Sequence, residues 1–282
     1  MRLGYVLPDP SPCRDWAEFE GDLACVKQAG YDAVELQIAD PATFDEARVR
    51  QALQAVGLPM CAFQTGATYA TRGNCLCTAD DAIRERTVKL LLSFVDLAAR
   101  WQAVIVVGSL QGRFKEEPNR SAGEARIREA LCRVGEYALK KEATVAFEPV
   151  NHGEISFHNT IVEAAALVRG IDLPSVRLMV DTFHMNIEEK DMLAPLAGIH
   201  DILAHVHLSE TNRDVLGEGH WDTRGFLAEL RRLGYGGCCS IGVYNTRRSR
   251  RDCIQRCMDV AGVITDWKWT GNQKAGDKDA RN

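Results

Sequence analysis

No segment of the chain approaches the roughly 18 consecutive apolar residues that a membrane span requires, so no transmembrane anchor is expected. The first residues, MRLGYVLPDPSP, carry one Arg and a short apolar run before prolines and charges intervene. They are not expected to act as a signal peptide. No stretch rich in Pro, Gly or Ser divides the 282 residues, a length that a single large domain can use. Positive charge is not in excess: the net charge is −5, which gives no general pull toward nucleic acid or an anionic membrane, and neither is expected as a partner. No P-loop or other strong phosphate motif is present. The CxxC spacing is missing as well. Ten cysteines are scattered, and several (Cys25, Cys61, Cys132, Cys238, Cys239) sit inside apolar runs. Without an export signal they read as reduced, mostly buried thiols of a cytoplasmic protein. Cys75 and Cys77 in NCLC lack both the spacing and the second pair of a metal or redox site.

What is present is an alternation of short apolar runs with longer amphipathic ones. Strands are expected at 2–8, 31–38, 60–66, 103–109, 144–151, 176–184, 202–210 and 237–244. Helices are expected at 16–30, 42–56, 80–100, 122–141, 159–169, 191–199, 223–233 and 247–265. Strands this short and this continuously apolar suit a parallel sheet covered on both faces. Eight strand–helix units without a break in composition argue for a closed (β/α)₈ TIM barrel over a doubly wound sheet. The barrel is expected to span 1–269, with 270–282 as a polar tail.

In such a barrel the chemistry comes from the C-terminal ends of the strands and the loops after them. The fifth strand ends in FEPVN, which supplies Glu148; the sixth ends in VDTFH, which supplies Asp181 and His184; the seventh runs into HVHLSETNR, which supplies His205, His207 and Arg213. A single Glu or His at a strand end is ordinarily salt-bridged or hydrogen-bonded. Glu148, Asp181 and His207, however, lie on three consecutive strands at one end, and three such groups converging unpaired would be costly unless a divalent cation satisfies them. Oxygen and nitrogen donors without thiolate suit Mn²⁺ first, with Co²⁺, Mg²⁺ or Zn²⁺ as alternatives. His205 points the same way as His207 but one pleat deeper, as a core or supporting histidine. GEGHWD (217–222) places Glu218, His220 and Trp221 in a loop that could cover the mouth. VGSLQGR (107–113) could hug a substrate or be a plain turn. Trp16 and Phe63 could face a ligand or belong to the core, and TRRSRR (246–251) reads as the solvated start of the last helix.

The set FEPVNHGE, VDTFHMNIEE and HVHLSETNR, with GYDAVEL at 30–36, resembles the xylose-isomerase-like sugar isomerase/epimerase superfamily, most of all the ketose 3-epimerases that act on tagatose or psicose. The resemblance runs through nearly the whole chain. It implies a single divalent metal held by Glu148, Asp181 and His207, and a small-molecule sugar substrate held by Glu154, His184 and Arg213; His220, from the GEGHWD loop, is expected as a further substrate contact. It also implies Glu148 and Glu154 as catalytic carboxylates and a homo-oligomer, dimer or tetramer. Epimerisation through an enediolate needs a proton-transfer group on each face of the sugar, and the family places a second metal-binding Glu at the end of strand eight. Here SIGVY puts Gly242 at that position. Three readings stay open: a ketose epimerase/isomerase with reduced or altered two-base chemistry, a one-base lyase or dehydratase acting on a keto-sugar or 3-keto-glycoside, and an inactive sugar binder. The same superfamily contains endonucleases that cut abasic DNA with histidine-rich metal clusters. No histidine precedes His152 here, which together with the charge argues against that activity.

Overall fold

The computed structural model describes residues 1–264; the expected boundary at 269 and the tail beyond it lie outside the described residues. Eight parallel strands close on themselves: β1 (Arg2–Pro8), β2 (Ala33–Gln37), β3 (Met60–Gln64), β4 (Val104–Val107), β5 (Thr144–Phe147), β6 (Val176–Asp181), β7 (Leu203–Leu208) and β8 (Cys238–Ile241). Closure is made by β1, which pairs with β2 on one side (Gly4 opposite Ala33) and with β8 on the other (Gly4 opposite Ser240). The helices are α1 (Trp16–Ala29), α2 (Glu46–Val56), α3 (Ala67–Arg72), α4 (Asp81–Trp101), α5 (Arg120–Lys140), α6 (Ile161–Ile171), α7 (Thr182–Glu188), α8 (Thr223–Arg232) and α9 (Arg250–Ile264). No helix among the described residues is long and apolar enough to cross a membrane.

Two cores hold this together. The large one lies between sheet and helices and takes the bulky residues, among them Phe63, Phe94, Phe147 and Phe226, all fully buried. Trp16 and Phe63 belong to it: Phe63 packs edge-to-face on Phe44 and Trp101. The small core fills the barrel interior with compact side chains, Ala33, Cys61, Ala62, Val106, Ala146, Met179 and Cys238. Because side chains alternate along a strand, the inward parity of Ala33, Ala62, Val106, Ala146, Met179 and Cys238 continues upward to Glu35 and Gln37, Gln64, Gly108, Glu148, Asp181 and Gly242, and on β7 from His205 to His207.

Helix starts follow from short polar caps. Asp15, Asp45, Asp80 and Asp222 accept backbone N–H groups of α1, α2, α4 and α8, and Thr160 with Glu163 forms a reciprocal capping box on α6. The structure departs from the sequence reading in unit six. β6 stops at Asp181, whose carboxylate accepts the Phe183 N–H, and α7 begins at once. The expected helix at 191–199 is instead a short 3₁₀ turn at Ala194–Gly198 containing Pro195. The basic run at 246–251 leads into α9 and is largely exposed, as expected, while Arg250 and Arg251 also pair with the buried Asp22 of α1. All ten cysteines are free, and seven are buried. Cys75 and Cys77 place their sulfurs 3.4 Å apart beside Glu116, whose two carboxylate oxygens already accept from Tyr69 Oη and the Arg113 N–H.

Phe226→Ala, which empties a fully buried site where α8 meets Trp221, is expected to cost about 3–5 kcal/mol. Urea unfolding followed by circular dichroism reads that cost as a lower midpoint at unchanged slope.

Candidate metal centre and sugar cavity

Glu35 is the buried root of the site. It sits on β2 with no exposure, and each of its oxygens accepts from an imidazole of β7: Oε2 from His205 Nε2 at 2.7 Å and Oε1 from His207 Nε2 at 2.8 Å. Burial pushes the Glu35 carboxyl up, but the charge and hydrogen bonds of His207 and His205 overcome it and hold the group well below the usual carboxylate range. With Nε2 donating to Glu35, the His207 ring turns Nδ1 toward the strand ends. There it lies 3.6 Å from Asp181 Oδ2 and 3.9 Å from Glu148 Oε1.

Glu148, Asp181 and His207 thus present one donor atom each, all within 4.8 Å of one another, and all three residues are buried. Their charge states differ. Burial raises Asp181, but His207, His184 and Arg213 more than reverse this and keep it ionised far below its ordinary range. Ser209 Oγ donates to its Oδ2 at 3.3 Å. Burial disfavours protonation of His207, yet Glu35 and Asp181 raise it well above the ordinary imidazole value. For Glu148 burial wins: it outweighs the pull of His207, and the carboxyl is pushed up to about 8. Glu148 leans on Gly108 at the end of β4, where a Cβ would strike its Oε2. The glycine pair of VGSLQGR therefore serves in part to admit this carboxylate.

The three donors lie in a cavity of about 230 Å³ whose wall also includes Gln37, Gln64, Ser109, Glu154, His184, Arg213 and Tyr244. The His184 ring is fixed between the Asn151 amide (2.8 Å from Nδ1) and Arg213 Nη2 (3.1 Å from Nε2), with Nε2 3.7 Å from Glu148. Burial, against the pull of Asp181, keeps it below the ordinary imidazole value and so uncharged at neutral pH. Arg213 adopts a positive φ of 59° in the loop after β7. Its guanidinium lies over the Phe183 and Tyr244 rings at 4.1 and 5.0 Å, and Nη2 reaches Glu154 at 3.4 Å. Its Nε is buried without a partner among the described residues, a donor left for a ligand oxygen.

Of the residues singled out in the sequence, Glu148, Glu154, Asp181, His184, His207 and Arg213 all border this one cavity. His205 supports Glu35 beneath it. His220 is not in the lining: it is exposed, with Nδ1 3.1 Å from Thr211 Oγ1. The rest of GEGHWD is engaged elsewhere, Glu218 with Arg248 and Trp221 with Phe226. The residues missed in the sequence are Glu35, Gln64 and Tyr244.

The donor set fits a divalent cation of oxygen-and-nitrogen preference. Two ionised or ionisable carboxylates and one imidazole nitrogen converge, and the carboxylate–histidine support beneath them orients the ring nitrogen. Below about pH 8 the Glu148 proton must leave before this carboxylate can ligate. Cation affinity is therefore expected to strengthen as pH rises from 6 and to go on rising past 8, because His207 Nδ1 must also give up its proton to ligate. Calorimetric titration of Mn²⁺ in buffers of different ionisation enthalpy reads both the affinity and the protons released. In the same titration Glu35→Gln, which weakens the hold on His207, is expected to reduce affinity about 10–100-fold.

Comparison with known proteins agrees with this architecture. The family described as "Xylose isomerase-like TIM barrel" matches residues 23–263. A ketose 3-epimerase of Arthrobacter globiformis is 34% identical over 254 residues, covering 89% of this chain and 84% of that protein. An L-ribulose 3-epimerase of Methylomonas sp. is 30% identical, covering 87% and 88%. Among solved structures, D-allulose 3-epimerase from Methylomonas sp. in complex with D-allulose superposes with a TM-score of 0.82 at 23% identity, covering 94% of this chain and 97% of that one. A 3-keto-D-glucoside 4-epimerase from E. coli gives 0.79 at 21%, covering 94% and 98%. The chain belongs to the xylose isomerase-like TIM-barrel family and is a relative of its ketose 3-epimerases.

Proposed function

We propose that the chain is a divalent-cation-dependent epimerase of a free ketose or related keto-sugar, with Mn²⁺ as the ion. The observation that carries this reading is the convergence of Glu148, Asp181 and His207 at the floor of a sugar-sized cavity lined by hydrogen-bonding groups. Among the described lining residues Arg213 is the one Lys or Arg side chain, and it already faces Glu154. That supports an uncharged sugar over a phosphorylated one.

A proton beside a ketone is weakly acidic, and its removal leaves charge on the carbonyl oxygen. When bound, the cation supplies the positive charge that polarises this carbonyl and steadies the enediolate. The chain's own residues do the rest. Glu148 takes the proton: its carboxylate opens into the cavity that would hold the sugar. Arg213 Nε and the uncharged His184 face sugar oxygens, and the Phe183–Arg213–Tyr244 stack keeps the guanidinium from swinging away. The second reading, elimination by a single base from a keto-sugar or 3-keto-glycoside, is favoured by one observation: position 242, inward-facing at the end of β8, is glycine and offers no acid or base.

The test is turnover in D₂O with Mn²⁺ or Co²⁺ over a panel of ketoses, 3-keto-sugars and keto-glycosides, read by proton NMR. Deuterium next to the carbonyl with epimer formation is expected, and Glu148→Gln should lower the rate by about 100-fold or more. Unsaturated products would move the chain to the second reading. Binding without exchange on every sugar would make it a sugar-binding protein.

A further inference from the structure

Epimerisation requires a proton-exchanging group on each face of the reacting carbon. The carboxylates in the cavity wall, Glu148, Glu154 and Asp181, all come from the ends of β5 and β6. In a ring of eight strands the opposite wall is the arc from β8 through β1 and β2 to β3. Its lining residues among those described are Gln37, Gln64, Gly66, Ala67, Ala70 and Tyr244. Amides do not exchange protons usefully with carbon acids, so Tyr244 is the one titratable side chain on that wall.

Its placement is specific. A Cβ built at Gly242 would meet Tyr244 Cε2 at 2.5 Å and Oη at 2.8 Å. The phenol therefore occupies the space into which a side chain at the end of β8 would point. The Tyr244 N–H donates to Arg213 O at 3.0 Å, the ring stacks on the Arg213 guanidinium, and Oη accepts from Gln64 Nε2 at 3.1 Å. Oη accepts in that bond and donates no hydrogen bond among the described residues, which leaves the phenol's own proton to the cavity.

We propose that Tyr244 is a catalytic residue, exchanging the proton at the reacting carbon on the face turned away from Glu148. The inference rests on the proposed epimerase function. Glu148 removes the proton; the C–H electron pair moves into the new C–C double bond, and the carbonyl electrons move to oxygen. The Tyr244 O–H then protonates the same carbon from the other side: the enediolate pair forms the new C–H bond, the carbonyl re-forms, and a phenolate is left. Water returns a proton to the phenolate and takes one from Glu148. The reverse direction runs the same steps backwards: water takes the Tyr244 proton and gives one to Glu148, the phenolate removes the proton from carbon, and Glu148 returns one on its own face.

Tyr244→Phe keeps the ring and its stack on Arg213, so thermal melting and Mn²⁺ affinity should stay near those of the parent and confirm an intact site. In D₂O with Mn²⁺, the parent is expected to form epimer carrying deuterium. Tyr244→Phe should lose epimer formation by about 100-fold or more while deuterium still enters the unreacted sugar with retained configuration, through Glu148 alone. A variant that keeps epimerising, or that loses exchange and epimerisation in equal proportion, overturns the role of Tyr244 and leaves the epimerase reading standing. A parent that exchanges no sugar overturns both. As a second measurement, the parent is given substrate deuterated at the reacting carbon in H₂O. Label-free epimer is expected of two groups, and carry-over of label into the epimer would mean one base and overturn the proposal.

Discussion

A carboxylate with no exposure cannot stand alone in a protein interior, and Glu35 does not: two imidazoles of the same strand donate to its two oxygens. That arrangement fixes more than a charge balance. It sets which nitrogen of His207 is tied to Glu35, and so which nitrogen faces Asp181 and Glu148. Breaking such a buried pair from one side leaves an uncompensated charge, a cost of about 3–5 kcal/mol. The ring orientation is therefore held more firmly than any loop around the mouth could hold it. The edge-to-face packing of His205 on His207, with centroids 5.2 Å apart, closes the remaining rotation.

From that root the site is built by strand parity. Compact residues at the inward positions, Ala33, Ala62, Val106, Ala146, Met179 and Cys238, fill the lower barrel. Two residues further along β2, β3, β5 and β6 the same direction of projection brings in polar groups, Glu35, Gln64, Glu148 and Asp181. Small side chains below make room for long ones above. Gly108 extends this logic sideways, since the carboxylate of Glu148 occupies the space its side chain would need.

Much of this was legible in the sequence because alternation and the strand-end rule are local properties. All eight strands, and the convergence of Glu148, Asp181 and His207, follow from them. The failures are equally physical. Glu35 lies inside the apolar run YDAVELQI, and nothing local says that its partners are 170 and 172 residues away. The sixth strand, expected to run on to 184, stops at Asp181, because that residue's second task, capping α7 through the Phe183 N–H, depends on the chain turning there. Tyr244 stands two residues beyond the glycine whose space it takes, and only the loop's hydrogen bonds to Arg213 O fold it back. His220 shares a loop with no cavity contact: Glu218 is drawn outward by Arg248 and Trp221 downward by Phe226. The resemblance to sugar epimerases made the glycine conspicuous, but the occupant of its space required coordinates.

The electrostatics of the three buried acids explain why the site suits a cation and why Glu148 is its reactive member. Glu35 and Asp181 both draw on His207, which is held protonated between them. Glu148 comes too late in this allocation: His207 lies 3.9 Å away and His184, kept uncharged by burial, 3.7 Å away. With no cation of its own, Glu148 meets its burial by keeping a proton up to about pH 8. A carboxyl in that condition has two ways to ionise, either by admitting a divalent ion or by exchanging its proton with a neighbour on demand. The first makes it a ligand and the second a base. Both rest on one cause, the commitment of the charged imidazole, His207, to Glu35 and Asp181.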